Sequence, residues 1–354
     1  MPTAPSTSSP SLPSSGLRAL WRRRGVGAWL LWPLSALYGA LQGWNAQRML
    51  QTQQSAGLPV IVVGNVIAGG AGKTPVTQAV VAHLLARGWQ PGIISRGYGR
   101  KSRDCREARA DSCASEVGDE PALLARSTGV PVFVAAQRIE AARALRTAYP
   151  QVDVIVSDDG LQHLALARDV ELCVFNDEGV GNGFLLPAGP LREKWPRPVT
   201  ASLYAGQPPS PLGSAPAFAL QRQLADTAVN GKGEKIALSC FAGQRVEAVA
   251  AVARPESFFA MLAQQGIAPA VTQALPDHYD FESFSRRLDN GQPLICTEKD
   301  AIKLWNSHPE AWAVPLQLQL PQAFWELLDA HPALAARPQN CGSGAVSVLG
   351  SDYH

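Results

Sequence analysis

Charge is scarce in this chain. Asp, Glu, Lys and Arg make up 17% of its 354 residues, against about 25% in an average globular protein. Hydrophobic residues reach 46%, which excludes bulk disorder. Neither sign is in excess: 31 basic residues face 29 acidic ones, a net charge of +2. A general nucleic-acid coat needs a field of one sign, so no nucleic-acid partner is expected, and any basic patch must be local. Cysteine is sparse too. Cys105, Cys113, Cys173, Cys240, Cys296 and Cys341 form no CxxC pair, and no His stands beside them at zinc-ligand spacing. Reduced thiols are expected, with Cys173 and Cys296 buried in apolar strands. There is no internal repeat, and the only low-complexity stretch is the Pro/Ser/Thr-rich segment 1–16, expected to be a disordered tail.

The next thirty residues are the opposite of that tail. Arg18, Arg22, Arg23 and Arg24 form a basic cluster, and no charge then appears until Arg48. A signal peptide has this order, but no small-x-small cleavage site comes after the apolar core. A spanning helix needs about 20 apolar residues, and Pro33, Gln42 and Asn45 interrupt or border this run. A helix lying in a membrane interface fits best. Trp21, Trp29, Trp32, Tyr38 and Trp44 prefer that depth, and the arginines suit anionic headgroups. A helix packed on the protein's own core is the plain alternative.

From residue 58 short apolar strands alternate with helical stretches. LPVIVVGN, GIISRG, VPVFVA, VDVIVSDD and VELCVFND read as strands. TPVTQAVVAHLLARG, 119–128 and 138–148 read as helices. This rhythm predicts a parallel α/β sheet covered on both faces. A Pro-rich stretch over 187–216 reads as a linker, after which a second α/β pattern resumes with KIALSCFAG, a helix near 255–265, PLICTEKD and VPLQLQL. The expected organisation is a tail over 1–16, a membrane-associated helix over 17–50, a P-loop kinase core over 51–200 and a smaller α/β domain over 201–354.

The strongest local signal is VVGNVIAGGAGKTP, residues 62–75. A strand runs into a Gly-rich turn, then Gly-Lys-Thr, then a helix. Gly69, Gly70, Ala71 and Gly72 would wrap a phosphate with backbone amides at a helix N-terminus. Lys73 would reach the β/γ-phosphates, and Thr74 would ligate Mg²⁺. The strict GxxxxGK[ST] pattern wants Gly at position 67, where this chain has Ile67.

Asp158 and Asp159 end a buried strand, where a carboxylate can hold Mg²⁺ directly or through water. Asp119 opens a helix, either as its cap or as a carboxylate presented beside the phosphate site, where a kinase needs a base. Arg96, Tyr98 and Arg100 in SRGYGRK and Arg192 in AGPLREK are loop residues able to grip an acceptor phosphate. Taken singly, each is equally well a solvated loop residue, and Asp277-His278 alone reads as a surface turn.

Taken together, VVGNVIAGGAGKTP, ISRGYGRK, VGDEPALL, VSDDGLQH, GNGFLLPAGPLRE and CTEKDAIK occur in this order, and the set resembles the tetraacyldisaccharide 4′-kinase family, the lipid A kinases of Gram-negative bacteria. The resemblance covers roughly residues 17–305. It implies a P-loop NTPase-like parallel sheet domain, a smaller second α/β domain and an N-terminal membrane-interface helix. It implies ATP and Mg²⁺ as cofactors, and phosphorylation of the 4′-hydroxyl of a tetraacylated glucosamine disaccharide 1-phosphate to give lipid IVA. The place implied is the cytoplasmic face of the inner membrane, as a peripheral or monotopic protein on an anionic surface, with no obligatory protein partner. Carried over by motif, Lys73 and Thr74 bind the phosphates and metal, Asp158 and Asp159 stand near the metal, and Asp119 is the general base. His278 reaches across a cleft to orient Asp119. His163, Asn182 and Arg192 line the site with Arg96 and Tyr98, and Thr297 to Asp300 face the nucleotide. Members often carry a Gly-Ile-Gly loop where this chain has Ala251-Val252-Ala253, and alanine tolerates positive φ poorly.

Two rival classes remain. A P-loop GTPase switch would read Thr297-Glu298-Lys299-Asp300 as an out-of-register guanine motif, and a membrane-anchored scaffold would leave the phosphate loop unused.

Overall fold

The computed structural model describes residues 15–277, 279–289 and 291–335. The expected tail up to residue 14, His278, Cys341 and the irregular stretch after 335 lie outside the described residues. Ser15 and Gly16, expected in the tail, begin a helix instead.

The apolar N-terminus folds as two helices, α1 (Ser15–Arg22) and α2 (Val26–Gln51), rather than one. The break falls at Arg23-Arg24-Gly25, where Gly25 is extended and opens α2. Within α2 only Ala28 and Ser35 are buried. No helix among the described residues is long and apolar enough to cross a membrane.

The first unit is built on an eight-stranded sheet: β1 (Val60–Gly64), β2 (Pro91–Ser95), β3 (Arg106–Ala108), β4 (Val132–Val134), β5 (Val154–Asp158), β6 (Val170–Phe175), β7 (Ala201–Tyr204) and β8 (Ala217–Ala219). Their order is β3-β4-β2-β5-β1-β6-β7-β8. All pairs are parallel except the β3 edge. β1 and β5 are buried along their whole length, as parallel strands covered on both faces require. On one face α3 (Lys73–Ala86) turns Val76, Val80, Val81 and Leu84 to the core, joined by α5 (Asp119–Thr128), which comes after the single turn α4 (Ala114–Val117). On the other face α6 (Arg138–Ala148) contributes Ile139, Ala142 and Leu145.

An antiparallel pair made of distant strands, β9 (Gln221–Leu224) with β16 (Leu316–Gln319), brackets a second sheet in the chain. The second sheet runs β11-β10-β15-β14-β12-β13, from β10 (Thr227–Asn230), β11 (Lys235–Ala237), β12 (Glu247–Ala250), β13 (Val271–Ala274), β14 (Leu294–Thr297) and β15 (Trp312–Val314). It carries α7 (Pro255–Gln264) and α8 (Glu298–Leu304).

Two expectations about organisation need correction. The first unit does not end at residue 200, because β7 and β8 extend its sheet through 219. The prolines of 187–216 mark turns between neighbouring strands, since proline breaks ladders without ending a sheet. The chain also returns to the first unit after the second sheet. In α9 (Gln322–Asp329) Phe324 and Leu328 are fully buried against α3, joined by Leu334 of α10 (Pro332–Ala335).

Candidate active site

The carboxyl ends of β1, β5 and β2 lie side by side, so the loops after them meet. After β1 the chain passes through Asn65 to Ala71 and enters α3 at Lys73. Gly69 (φ 106°) and Gly72 (φ 78°) are left-handed, a conformation open to glycine at no steric cost. Three side chains hold the loop's carbonyls: Asn65 Nδ2 donates to Gly69 O (3.4 Å), Asn176 Nδ2 to Gly70 O (3.3 Å) and Arg222 Nη2 to Ala71 O (3.3 Å). Carbonyls drawn outward in this way leave a turn whose amides suit an anion. Ile67 does not take part in that curve. It is buried and bridged to Leu191, and the next amide, of Ala68, donates to Pro190 O (2.7 Å). Glycine is therefore not needed at 67, and the bend is made two residues later.

Lys73 is almost fully buried and its Nζ lies 3.4 Å from Asp159 Oδ1, which Arg192 Nη1 approaches at 3.7 Å. Thr74 follows Lys73 in the same first turn of α3. Burial alone would raise the Asp159 carboxyl, but Lys73, Arg192 and Arg138 outweigh it and hold it at about 2. Asp158 behaves in the opposite way. Burial, with Glu120 and Asp159 nearby, pushes it up to about 7 against Lys73 and the Thr77 hydroxyl, which donates to Oδ1 (2.9 Å). Its Oδ2 is buried and has no hydrogen-bond partner among the described residues. The two adjacent carboxylates are thus distinct in environment. Asp159 itself sits at φ 49°, rare outside glycine, and the turn is held by Arg138 Nη2, which donates to the carbonyls of Asp158 (3.2 Å) and Asp159 (3.1 Å).

His163 is kept neutral. Burial, with Arg138 and Arg96 close by, lowers it to about 3. Arg96 and Tyr98 leave the end of β2 on an exposed loop that packs on Gly118 (φ 97°), where an added Cβ would stand 2.8 Å from Tyr98 O. Gly118 precedes Asp119, so this contact brings Arg96, Tyr98 and Asp119 together. Asp119 accepts from Lys303 Nζ (2.9 Å) of α8, a contact between the two units. Asn182 is the exception among the expected substrate residues. Its amide is used up inside its own loop and on α1: Nδ2 donates to Ala188 O and Leu20 O, and Oδ1 accepts from Phe184 N. It shapes the loop that carries Arg192 and does not present a free group to the site.

The run Thr297 to Asp300 also differs from expectation. Thr297 caps α8, and Asp300 is buried, accepting from Thr297 Oγ1 (2.7 Å) and Ala251 N (2.9 Å). This carboxylate braces the 251–254 loop and is not offered to a guanine base. None of residues 251–253 has a positive φ, so alanine is at ease there. The loop seats on the phosphate loop, with Ala253 Cβ 3.1 Å from where a Cβ on Gly70 would be. A cavity of about 290 Å³ opens beside it, lined by Gly69, Gly70, Asn176, Glu178, Ala253 and Arg254.

Sequence reasoning missed Arg138, Asn176, Arg222 and Lys303. A charged first residue on the amphipathic helix α6, just after a strand, was the one available signal for Arg138. The others act across long stretches of chain. Cys173 and Cys296 are buried as expected.

The comparisons with known proteins agree in one direction. The family model described as Tetraacyldisaccharide-1-P 4′-kinase matches residues 27–333. The tetraacyldisaccharide 4′-kinase of Delftia acidovorans is 63% identical over 334 residues, covering 93% of this chain and 98% of its own. That of Acidovorax sp. strain JS42 is 58% identical, covering 92% and 96%. Among solved structures, the "apo" form of LpxK from Aquifex aeolicus in complex with ATP superposes with a TM-score of 0.74 at 26% identity, covering 85% of this chain and 98% of that one. With a matching model over most of its length and relatives this similar, the chain belongs to the tetraacyldisaccharide-1-phosphate 4′-kinase family.

Proposed function

We propose that this chain transfers the γ-phosphoryl group of ATP to the 4′-hydroxyl of tetraacyldisaccharide 1-phosphate, giving lipid IVA. One observation carries the assignment of roles. The phosphate loop with Lys73, the Asp158–Asp159 pair and Asp119 all open on the carboxyl edge of one sheet, with the second unit closing over them through Lys303 and the 251–254 loop. Lys73 and the amides after Gly69 hold the nucleotide's phosphates. Arg192, beside Asp159, adds a second cation to the transferring group. Asp119 takes the acceptor proton, and Arg96, Tyr98 and neutral His163 face the sugar. His278, next to Asp277, keeps its proposed role of orienting Asp119.

The residues present suit Mg²⁺. The donor set is all oxygen, from Thr74, Asp158 and Asp159, and the buried Asp158 Oδ2 has no hydrogen-bond partner among the described residues. Bound there with the phosphates, the ion would neutralise their charge. Incubating the purified chain with ATP, Mg²⁺ and the disaccharide 1-phosphate is expected to yield a bis-phosphorylated lipid. Phosphorus NMR should place the new group on the 4′-oxygen; a product phosphorylated elsewhere contradicts the reading.

A tetraacylated acceptor stays in a bilayer, so its kinase must dock there. α2 supports this. Trp29, Leu30, Trp32, Leu34, Leu37, Leu41 and Trp44 are all exposed, with Leu30 at 74%, a patch far more apolar than ordinary surface. The opposite side of the helix pair is bolted to the first unit: Trp21 Nε1 donates to Pro187 O, Ser35 Oγ to Leu185 O and Tyr38 OH to Arg192 O. The interfacial helix thus shares a loop with a cation of the site. Arg22, Arg23 and Arg24 add roughly 1 kcal/mol each on an anionic surface. The triple substitution Trp29→Ser, Trp32→Ser, Trp44→Ser is expected to weaken binding to vesicles containing anionic lipid by about tenfold or more. Unchanged cosedimentation would remove the helix from the docking account.

A further inference from the structure

We propose that Lys303 is a positioning residue for Asp119, reaching from the second unit to hold that carboxylate ionised and oriented, so that the base is complete only when the two units are docked. The inference rests on the reading of Asp119 as the group that takes the acceptor proton.

α8 carries two lysines four residues apart, hence on one face. Both are committed to carboxylates at the boundary between the units. Lys303 Nζ lies 2.9 Å from Asp119 Oδ2, with the side chains 21% and 13% exposed. Lys299 Nζ lies 3.1 Å from Asp277 Oδ1. Burial disfavours the Lys299 ammonium, but Asp277, Glu120 and Asp119 more than offset it and raise its pKa. The cleft at this point is an acidic cluster of Asp119, Glu120 and Asp277 answered by two ammonium groups from one helix.

A purely structural tie would be a simpler account, and two features argue against it. The helices α5 and α8 also meet elsewhere: the Arg126 guanidinium of α5 lies 5.2 Å from the ring of Trp305, the residue that ends α8. Lys303 is therefore not the sole contact between these two helices. The position of α8 is also coupled to the nucleotide side of the site. Asp300 fixes the start of the helix to Ala251, and the loop that begins there ends with Ala253 against Gly70. Two stretches of chain joined by the Asp300–Ala251 hydrogen bond thus touch the phosphate loop at one end and the base at the other.

The neighbouring charges set the direction of the effect. Among the described residues, the charged groups near Asp119 include Lys303 and Lys299 from α8, Glu120 on its own helix and Asp277 from the loop after β13. Glu120 also acts on Asp158, opposing Lys73 there. Removing Lys303 takes away the ammonium 2.9 Å from the Asp119 carboxylate. Protonation of Asp119 then becomes easier, and the acid limb of the pH–rate profile moves to higher pH.

The test compares full-length wild type, Lys303→Met, Lys303→Arg and Asp119→Asn in kcat, in KM for ATP and acceptor, in pH profile and in thermal melting. Lys303→Met is expected to lower kcat by about 10- to 100-fold with KM for ATP within about twofold, and to shift the acid limb upward. Lys303→Arg, which keeps the charge, should recover most of the rate and the wild-type limb. Added to Asp119→Asn, Lys303→Met should cost little more, since both act through one group. If Lys303→Met melts earlier but keeps the wild-type kcat and limb while Asp119→Asn is inactive, Lys303 is only a tie and the proposal fails alone. If Asp119→Asn itself runs at the wild-type rate, the assignment of the base fails and this proposal with it.

Discussion

Lys73→Ala is expected to lower phosphoryl transfer by about 10³-fold while leaving the fold intact. Lys73 opens α3 directly after left-handed Gly72, so its position is set by the backbone and not by a flexible loop. Its ammonium serves two anions: the phosphates the loop is built for, and the partly exposed carboxylate of Asp159 at 3.4 Å. Alanine removes the countercharge of both. Asp159 then depends on Arg192 and Arg138 alone, and Asp158, which Lys73 also holds down, is pushed further up. Lys73→Arg is not expected to rescue, because a planar guanidinium does not fit a space shaped for a compact ammonium. Melting temperature, nucleotide affinity and kcat/KM measured together check this. A fall of less than tenfold would mean that the loop amides suffice without the lysine.

The second large effect separates chemistry from nucleotide binding. Asp119→Asn is expected to cost about 10²–10⁴ in kcat, the usual range for losing a general base, with ATP affinity unchanged. Asparagine keeps the shape and can still sit at the start of α5, but it cannot take a proton. Asp119 meets Lys303 across the boundary between units, whereas Asn65, Asn176 and Arg222 hold the phosphate loop's carbonyls, which is why nucleotide binding should survive. Equilibrium binding of ATP beside steady-state transfer decides it. Weakened ATP binding with an unchanged transfer step would place Asp119 among the nucleotide ligands instead.

The parts of this site that are local in sequence were readable, and the parts made by distant residues were not. α5 and α6 are bounded by the glycine and strand signals that precede them, and their spans 119–128 and 138–148 agree with the periodicity. The phosphate loop was legible because strand, glycines, Lys-Thr and helix succeed one another without a gap. The donors that shape it were not, since Asn176 and Arg222 stand 106 and 151 residues from the carbonyls they hold. Ile67 looked like a departure because a motif is a string; in space it is a pairing residue ahead of the bend. The alanines at 251–253 looked awkward for a similar reason, although the loop never enters the left-handed region. The prolines after Leu186 suggested a linker because a strand that comes after a proline-rich turn has no local marker for which sheet it joins. The return of α9 to the first unit rests on Phe324 and Leu328 meeting α3, a contact across more than two hundred residues that periodicity alone does not encode.

The most direct test of the central claim traces the label of γ-radiolabelled ATP in mixed micelles of the tetraacyldisaccharide 1-phosphate, with Mg²⁺, for wild type and Lys73→Ala side by side. The account predicts label in a bis-phosphorylated lipid for wild type, little release as free phosphate, and neither with the variant. Label released only as inorganic phosphate, equally well from GTP and indifferent to the lipid, would contradict it.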